Sequence, residues 1–494
     1  MSNIYAIGIG GSGAKCIESL VFLHSLGFFG KARLGVLIVD ADSNNGNTQR
    51  TLTNLRRSAD CQQVLGQGTT PFLSGEFRDY GVWDPLSDTG TRNLDQIFNR
   101  PAMPSIAPNL EFLYDALYSP DERQVLLDVG FRGRPPIGSA VMSRLESSDV
   151  TTSRNTAWGR LFDDLEADAN TAASDNPTVH LFGSVFGGTG ASGVPTIGKL
   201  IGQQISEYRH RVHLNATPLL PYFSFNKPED DQQVYAETRS FTLNTQAALQ
   251  YFQEHAKDVF DTLYLIGNQD STPYSPSTGG TQQRNDSHFV ELFAALSVAD
   301  GLKQPIKQTQ AAYISRGSRD RVVWTDLPGG SSSDSARKLL GKGVRFAYSW
   351  LFNFSLELKD AREQGAKQFA KGAPWFLNFY APGRNKPAVT DESQRSKEDT
   401  LDAWTESLLS WAQQIAASNH NQEQILFNLQ GIQNNNQKSR SYQEYLGRLI
   451  IDGSISESEL RRDTIARLKE AIANQNNSQQ SGTHSLVHAL FEAC

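Results

Sequence analysis

The chain has 494 residues, more than one ordinary core holds, so two domains are expected. Its formal net charge of -7 argues against nucleic acid as the main partner, because neutralising phosphates needs a basic face. Cys16, Cys61 and Cys494 form neither a disulfide framework nor a metal-ligand cluster, which points to a reducing cytoplasm.

Met1, Ser2 and Asn3 carry no basic region, so no secretory signal is expected. Residues 4–9 form an apolar run of strand length. A glycine cluster follows, then helical spacing over 14–26 and a second buried strand over 34–39, ending at Asp40. Strand, glycine turn, helix, strand is the opening of a parallel α/β sheet. The stretch 17–29 is interrupted by Glu18, His24 and Gly27, so no membrane span is expected. Further apolar strands are predicted over 179–185, 212–220 and 262–266, as suits a parallel sheet covered on both faces.

Between about 44 and 121 the pattern weakens and reads as an insertion of short helices and loops. Residues 344–358, with Phe346, Tyr348, Trp350, Phe352 and Phe354, are a buried strand or a helix. Residues 385–400 read as a loop. Residues 401–417, 442–449 and 454–473 read as amphipathic helices, the last opening on Ser454 and Glu457 as a capping box. Residues 433–441 and 474–482 are rich in Asn, Gln and Ser and are expected to be mobile. His484 and His488 fall on one helix face with no third ligand nearby, so no metal site is expected from side chains.

Two segments carry chemistry. Gly8-Ile9-Gly10-Gly11-Ser12-Gly13 lets backbone N–H groups approach phosphate oxygens at a helix N-terminus. It also satisfies the dinucleotide fingerprint, which keeps an NAD-dependent oxidoreductase with Asp40 on the ribose open as an alternative. The second, Ser184-Val185-Phe186-Gly187-Gly188-Thr189-Gly190-Ala191-Ser192-Gly193, again follows an apolar strand and precedes a helix. Two such loops ending parallel strands can face one crevice at the strands' carboxyl ends.

Gly187-Gly188-Thr189-Gly190 resembles the core of the glycine signature of the tubulin/FtsZ family. Phe186 stands in place of the signature's first glycine. Gly10-Gly11-Ser12-Gly13 resembles the family's opening loop, Val39-Asp40-Ala41-Asp42 its second loop, and the stretch from Gly130 to Ala140 its third. The resemblance spans roughly 1–330 and implies a divergent branch. The implied nucleotide-binding domain is 1–303, closing on a central helix over about 284–303. Residues 304–494 would then form an α+β or mostly helical C-terminal domain.

The resemblance further implies a GTP or GDP site, with Mg2+. Its phosphate contacts would come from Gly10, Gly11, Ser12, Gly13 and Lys15 on the first loop. Asp40 and Asp42 would serve on the second, with Arg132, Gly133 and Arg134 on the third. Gly187, Gly188, Thr189, Gly190 and Ala191 would serve on the signature. Glu237 and Arg239 are candidates for ribose or phosphate, each with a solvated helix face as the plain alternative. Asn285 would read the base, because an amide donates and accepts at once, and Phe289 would lie beside it. His288 and Glu291, three apart, can form a simple surface pair.

Members of this family assemble head to tail, and acids of one subunit act on the nucleotide of the next. The matching stretch, 323–330, holds one acid, Asp326, and glycine where a second is expected. Hydrolysis is therefore left open, and a structural loop is the alternative for Asp326. A non-polymerising GTP-binding switch or scaffold, meeting a partner through the insertion or the C-terminal region, is the second functional alternative.

Overall fold

The computed structural model describes residues 2–42, 44–66, 70–86, 93–127, 130–131, 133–143, 156–171, 175–225, 238–275, 280–304, 306, 310–313, 321–328, 331–381, 385–419, 421, 423–429, 445–453, 456–474 and 481–494. Its strands in chain order are β1 (Ile4–Ile9), β2 (Leu34–Val39), β3 (Phe77–Trp83), β4 (Thr178–Ser184), β5 (His213–Leu219), β6 (Phe223–Phe225), β7 (Thr262–Leu265), β8 (Thr272–Tyr274) and β9 (Gln310–Tyr313). Seven of them make one sheet in the order β3-β2-β1-β4-β5-β7-β9, and every neighbouring pair is parallel. β6 and β8 pair separately. The expected α/β class with a parallel sheet is therefore present.

Its helices include α1 (Gly10–Ser25), α2 (Gly46–Leu65), α3 (Pro135–Met142), α4 (Ala157–Asn170), α5 (Gly188–Gln204), α6 (Thr238–His255), α7 (Phe289–Gly301), α8 (Ser331–Ser349), α9 (Ser355–Gln364), α10 (Glu392–Ala417) and α11 (Gly482–Ala493). Successive strand residues point to opposite faces. Ile4 and Ala6 of β1 join a core with α1, α2, α7, α8, α10 and α11. Tyr5, Ile7 and Ile9 join a second core with α3, α4, α5 and α6. Both faces are thus covered, which is why the inner strands β1 and β2 are apolar throughout.

The C-terminal part shares the first of these cores. Trp411 of α10 donates its indole N–H to Ser19 Oγ of α1 at 3.2 Å, and Trp404 donates to Ser58 Oγ of α2 at 3.2 Å. Phe491 of α11 stacks on Phe72 at 3.9 Å between ring centroids. His488 hydrogen-bonds the Leu65 carbonyl at 2.7 Å and Thr70 Oγ1 at 3.0 Å.

Several sequence expectations change. Residues 46–83 are not an insertion: α2 packs on α1, and β3 extends the sheet beside β2. Short helices occupy only the following stretch, from Leu94–Ile97 to Pro120–Gln124. The aromatic stretch 344–358 is helical, running through α8, a π turn over Trp350–Phe354 and α9. α10 begins at Glu392, inside the expected loop. Residues 457–473 are two helices, Glu457–Leu460 and Ile465–Ala473, because Thr464 caps the second by accepting from Arg467 N–H. Leu446–Leu449 is a single 3-10 turn. Ser454, 433–441 and 475–480 lie outside the described residues. Among the described residues no helix is long and apolar enough to cross a membrane.

Candidate functional site

β1 is flanked by β2 on one side and β4 on the other, so the chain winds in opposite directions from this point. Ligands of open α/β sheets bind outside the carboxyl ends of the strands at such a switch point. α1 starts at Gly10, directly after β1, and α5 starts at Gly188, with three residues between it and the end of β4. Gly10 has φ +69°, and a Cβ on it would stand 3.2 Å from Cβ of Thr189. The two glycine loops therefore touch, and they line one cleft.

Neither helix is closed by a side-chain cap, and neither carries an acid in its first turn. The first backbone N–H groups of a helix lack intrahelical partners and form its positive end. Two such ends converge here, an arrangement that favours an anion. A third segment completes this end of the cleft. Gly130, Phe131 and Gly133 line it, and a Cβ on Gly188 would lie 2.9 Å from Phe131 Cβ and 3.1 Å from Gly133 N. Asn244 of α6 ties the segment down, donating to the carbonyls of Gly133 at 3.2 Å and Phe186 at 3.0 Å.

Asp40 and Asp42 form an acidic corner, each at most 4% exposed. Asp40 Oδ1 accepts from Asp42 N–H at 3.1 Å, and Asp42 Oδ2 accepts from Gly280 N–H at 2.7 Å. Burial, with Asp42 and Asp84 nearby, pushes the Asp40 carboxyl up to about 7. The folded protein then holds a proton that the unfolded chain, with an ordinary carboxyl, releases near pH 4. Stability contributed by this group is full below that pH and is lost as pH rises through about 7. Urea denaturation from pH 4.5 to 7.5 is expected to show a shallower fall for Asp40→Asn than for the parent. Identical slopes would mean the carboxyl is hydrated.

The rest of the wall is of another character. Lys15, Phe223, Phe225, Phe241, Gln283 and Asn285 belong to it. Asn285 is not on the central helix: α7 begins at Phe289, not near 284. The residues before it are instead bound to α2. Asn285 N–H donates to Asn47 Oδ1 at 2.9 Å, Arg50 donates to the Asn285 carbonyl at 2.8 Å, and Asn45 donates to Gln283 Oε1 at 2.9 Å. His288 and Glu291 are fully buried rather than a surface pair. They start α7 together: Glu291 accepts from His288 N–H at 2.8 Å, and His288 Nδ1 accepts from Val290 N–H at 3.2 Å.

Of the residues expected at a nucleotide, the cleft brings together Gly10, Gly11, Ser12, Lys15, Asp40, Asp42, Gly133, Gly187, Gly188, Thr189, Gly190 and Asn285. Gly13 instead lies where α1 packs on the Phe182 carbonyl of β4. Ala191 and Arg134 are off the wall, Arg134 being the residue before α3. Phe289 is 2% exposed in the core. Asp326 is outside the cleft and accepts from Val323 N–H at 2.8 Å, closing its own turn. Arg132 and Glu237 lie outside the described residues, as do the Arg239 side chain, Gly329 and Gly330. Asn45, Asn47, Gln283, Phe225 and Phe241 are wall residues without any motif to announce them.

Neither a protein-family model nor a curated protein matches the chain.

Proposed function

We propose that the protein binds a guanine nucleotide, GTP or GDP, in this cleft, as a divergent member of the tubulin/FtsZ superfamily that assembles head to tail. The observation that carries the reading is the contact of two uncapped helix N-termini across one hollow. The strand order alone does not choose between a nucleoside triphosphate and NAD, since dinucleotide-binding sheets share the 3-2-1-4 winding. The second glycine loop favours the triphosphate. A pyrophosphate on a single helix end would use α1 and leave α5 without a role.

The residues fit such a ligand. Glycine backbone, Ser12 and Thr189 line the cleft and would meet a phosphate chain from two sides. Asp40 and Asp42 are the carboxylates open to Mg2+, which is commonly held by one or two carboxylates together with substrate phosphates. Phe225 offers a half-buried ring on the cleft wall. The superfamily's shared hydrolysis needs acids from a neighbouring copy, and Asp326 is committed to its own turn in the single chain. Slow hydrolysis goes with this reading.

Thermal unfolding with GTP, GDP, ATP or NAD tests the ligand. A ligand at 100 times its Kd stabilises by about 2.7 kcal/mol, so guanine nucleotides are expected to raise the midpoint and NAD to leave it unchanged. A rise with NAD alone overturns the proposal. Assembly is tested separately by sedimentation with GTP, with GDP and without nucleotide. Equal soluble fractions in all three, across protein concentration, remove it.

A further inference from the structure

Pro108–Leu117 is a surface helix whose apolar side faces water. Such helices ordinarily set their apolar stripe against the core and their polar face outward. Here Leu110, Leu113 and Leu117, at i, i+3 and i+7, form the stripe, and they are between 49% and 59% exposed. Phe112 on the adjoining flank is 73% exposed, and Ile106 at the end of the preceding turn is 77% exposed. The helix is anchored instead through Tyr114. That residue is buried, donates its hydroxyl to Asp95 Oδ1 at 3.0 Å and packs on Phe98 with 6.0 Å between ring centroids. At about 200 Å² for a whole side chain of this size, the five open side chains present on the order of 600 Å² of apolar surface, the top of the range for a lone soluble protein. Two copies bring together on the order of 1,200 Å², where stable and specific interfaces begin.

The charges beside the stripe point to what covers it. Glu111 and Asp115 are the acids of the helix. Arg100 pairs with both, at 2.8 and 2.7 Å, and Arg123 pairs with Asp115. Two acids matched by two guanidinium groups leave the helix's own charges balanced. Two copies therefore meet here without like-charge repulsion, and a strongly charged protein finds nothing to complement. A surface of anionic lipid calls for Lys and Arg along the polar face of an amphipathic helix, and this helix carries none. Leu113 lies midway along the stripe. A two-fold axis at that point sets two stripes against each other, the side chains of each entering the grooves of the other with the helix axes about 8–10 Å apart.

From the outward stripe, its area and its balanced flank, we infer that the protein pairs with a second copy of itself through Pro108–Leu117, across a two-fold axis at Leu113 and without need of nucleotide. None of the five side chains lines the glycine-loop cleft. The contact is thus separate from head-to-tail assembly.

The whole chain, free of nucleotide, is followed by sedimentation velocity across protein concentration. The parent is expected to pass from monomer to dimer with a Kd of about 100 µM or tighter, because interfaces of this order reach micromolar affinity and better. Leu113→Glu is expected to weaken pairing at least about 30-fold, the loss seen at an interface hot spot. Its thermal midpoint, measured where both proteins are monomeric, is expected to match the parent's because the side chain is half open to water. Leu113→Lys is expected to behave in the same way. Mixing the two variants is expected to restore the dimer, since opposite charges then meet at the axis. A mixture that stays monomeric removes the two-fold axis and overturns the inference. A parent that is monomeric up to about 100 µM, whether or not it binds vesicles of anionic lipid, overturns it as well. So do a dimer that survives Leu113→Glu unchanged and a dimer that forms only when GTP is added. Each of these results leaves the nucleotide reading of the cleft standing.

Discussion

Gly188→Asp is expected to reduce nucleotide affinity by at least about 100-fold while leaving the chain folded. The new carboxylate stands at the N-terminus of α5, where the anion would sit. Two unit charges about 4 Å apart repel by about 4 kcal/mol at an effective dielectric of about 20. The new Cβ also presses on Phe131 and Gly133, displacing the segment beside the glycine loop. Folding is preserved because an acid in the first turn of a helix interacts favourably with its positive end. Gly188→Ala adds the same Cβ without the charge and separates the two effects. Calorimetry of all three proteins decides the matter: unchanged affinity for GTP in the aspartate variant would place the phosphates elsewhere.

The second large effect concerns the support beneath the cleft. Glu18 of α1 is 1% exposed and accepts from Nε and Nη2 of Arg50, at 2.9 and 3.0 Å. Asn54 and Ser287 donate to the same carboxylate at 2.7 Å each. Glu18→Ala leaves Arg50 buried without a counter-charge, and breaking a buried pair in this way costs about 3–5 kcal/mol. Urea denaturation of the ligand-free protein is expected to show that loss. A loss under about 1 kcal/mol, the range of exposed pairs, would mean that water reaches the site. Arg50 also holds the Asn285 carbonyl, so nucleotide affinity is expected to weaken in the same variant.

The glycine loops and the inner strands were readable because their signals are local. Residues 4–9 and 34–39 carry a continuous apolar run, and glycine clusters sit directly beside them. What escaped was set by contacts distant in sequence. Asn244 meets Gly133 across 111 residues, and Asn47 meets Asn285 across 238. Nothing near Asn244 in the chain marks it out. The start of α7 was misplaced for a related reason. Residues 284–288 have no helix breaker, but their backbone is taken by α2 and the His288–Glu291 cap. β3 was missed because an edge strand, half open to solvent, lacks the apolar run of its inner neighbours. Lys15 was legible as a wall residue, whereas its counter-ion Glu291 was not.

The position of β1 in the middle of the sheet has a consequence during synthesis. Its neighbour β4 does not begin until Thr178, and the outer cover of α1 and α2 is completed by α11, ending at Ala493. At roughly 5–20 residues per second on the ribosome, the earliest segments wait on the order of a minute for their last packing surface. During that interval a sticky, half-built sheet edge protrudes from the exit tunnel. Nascent-chain yield should therefore depend on holdase chaperones far more than the finished protein does.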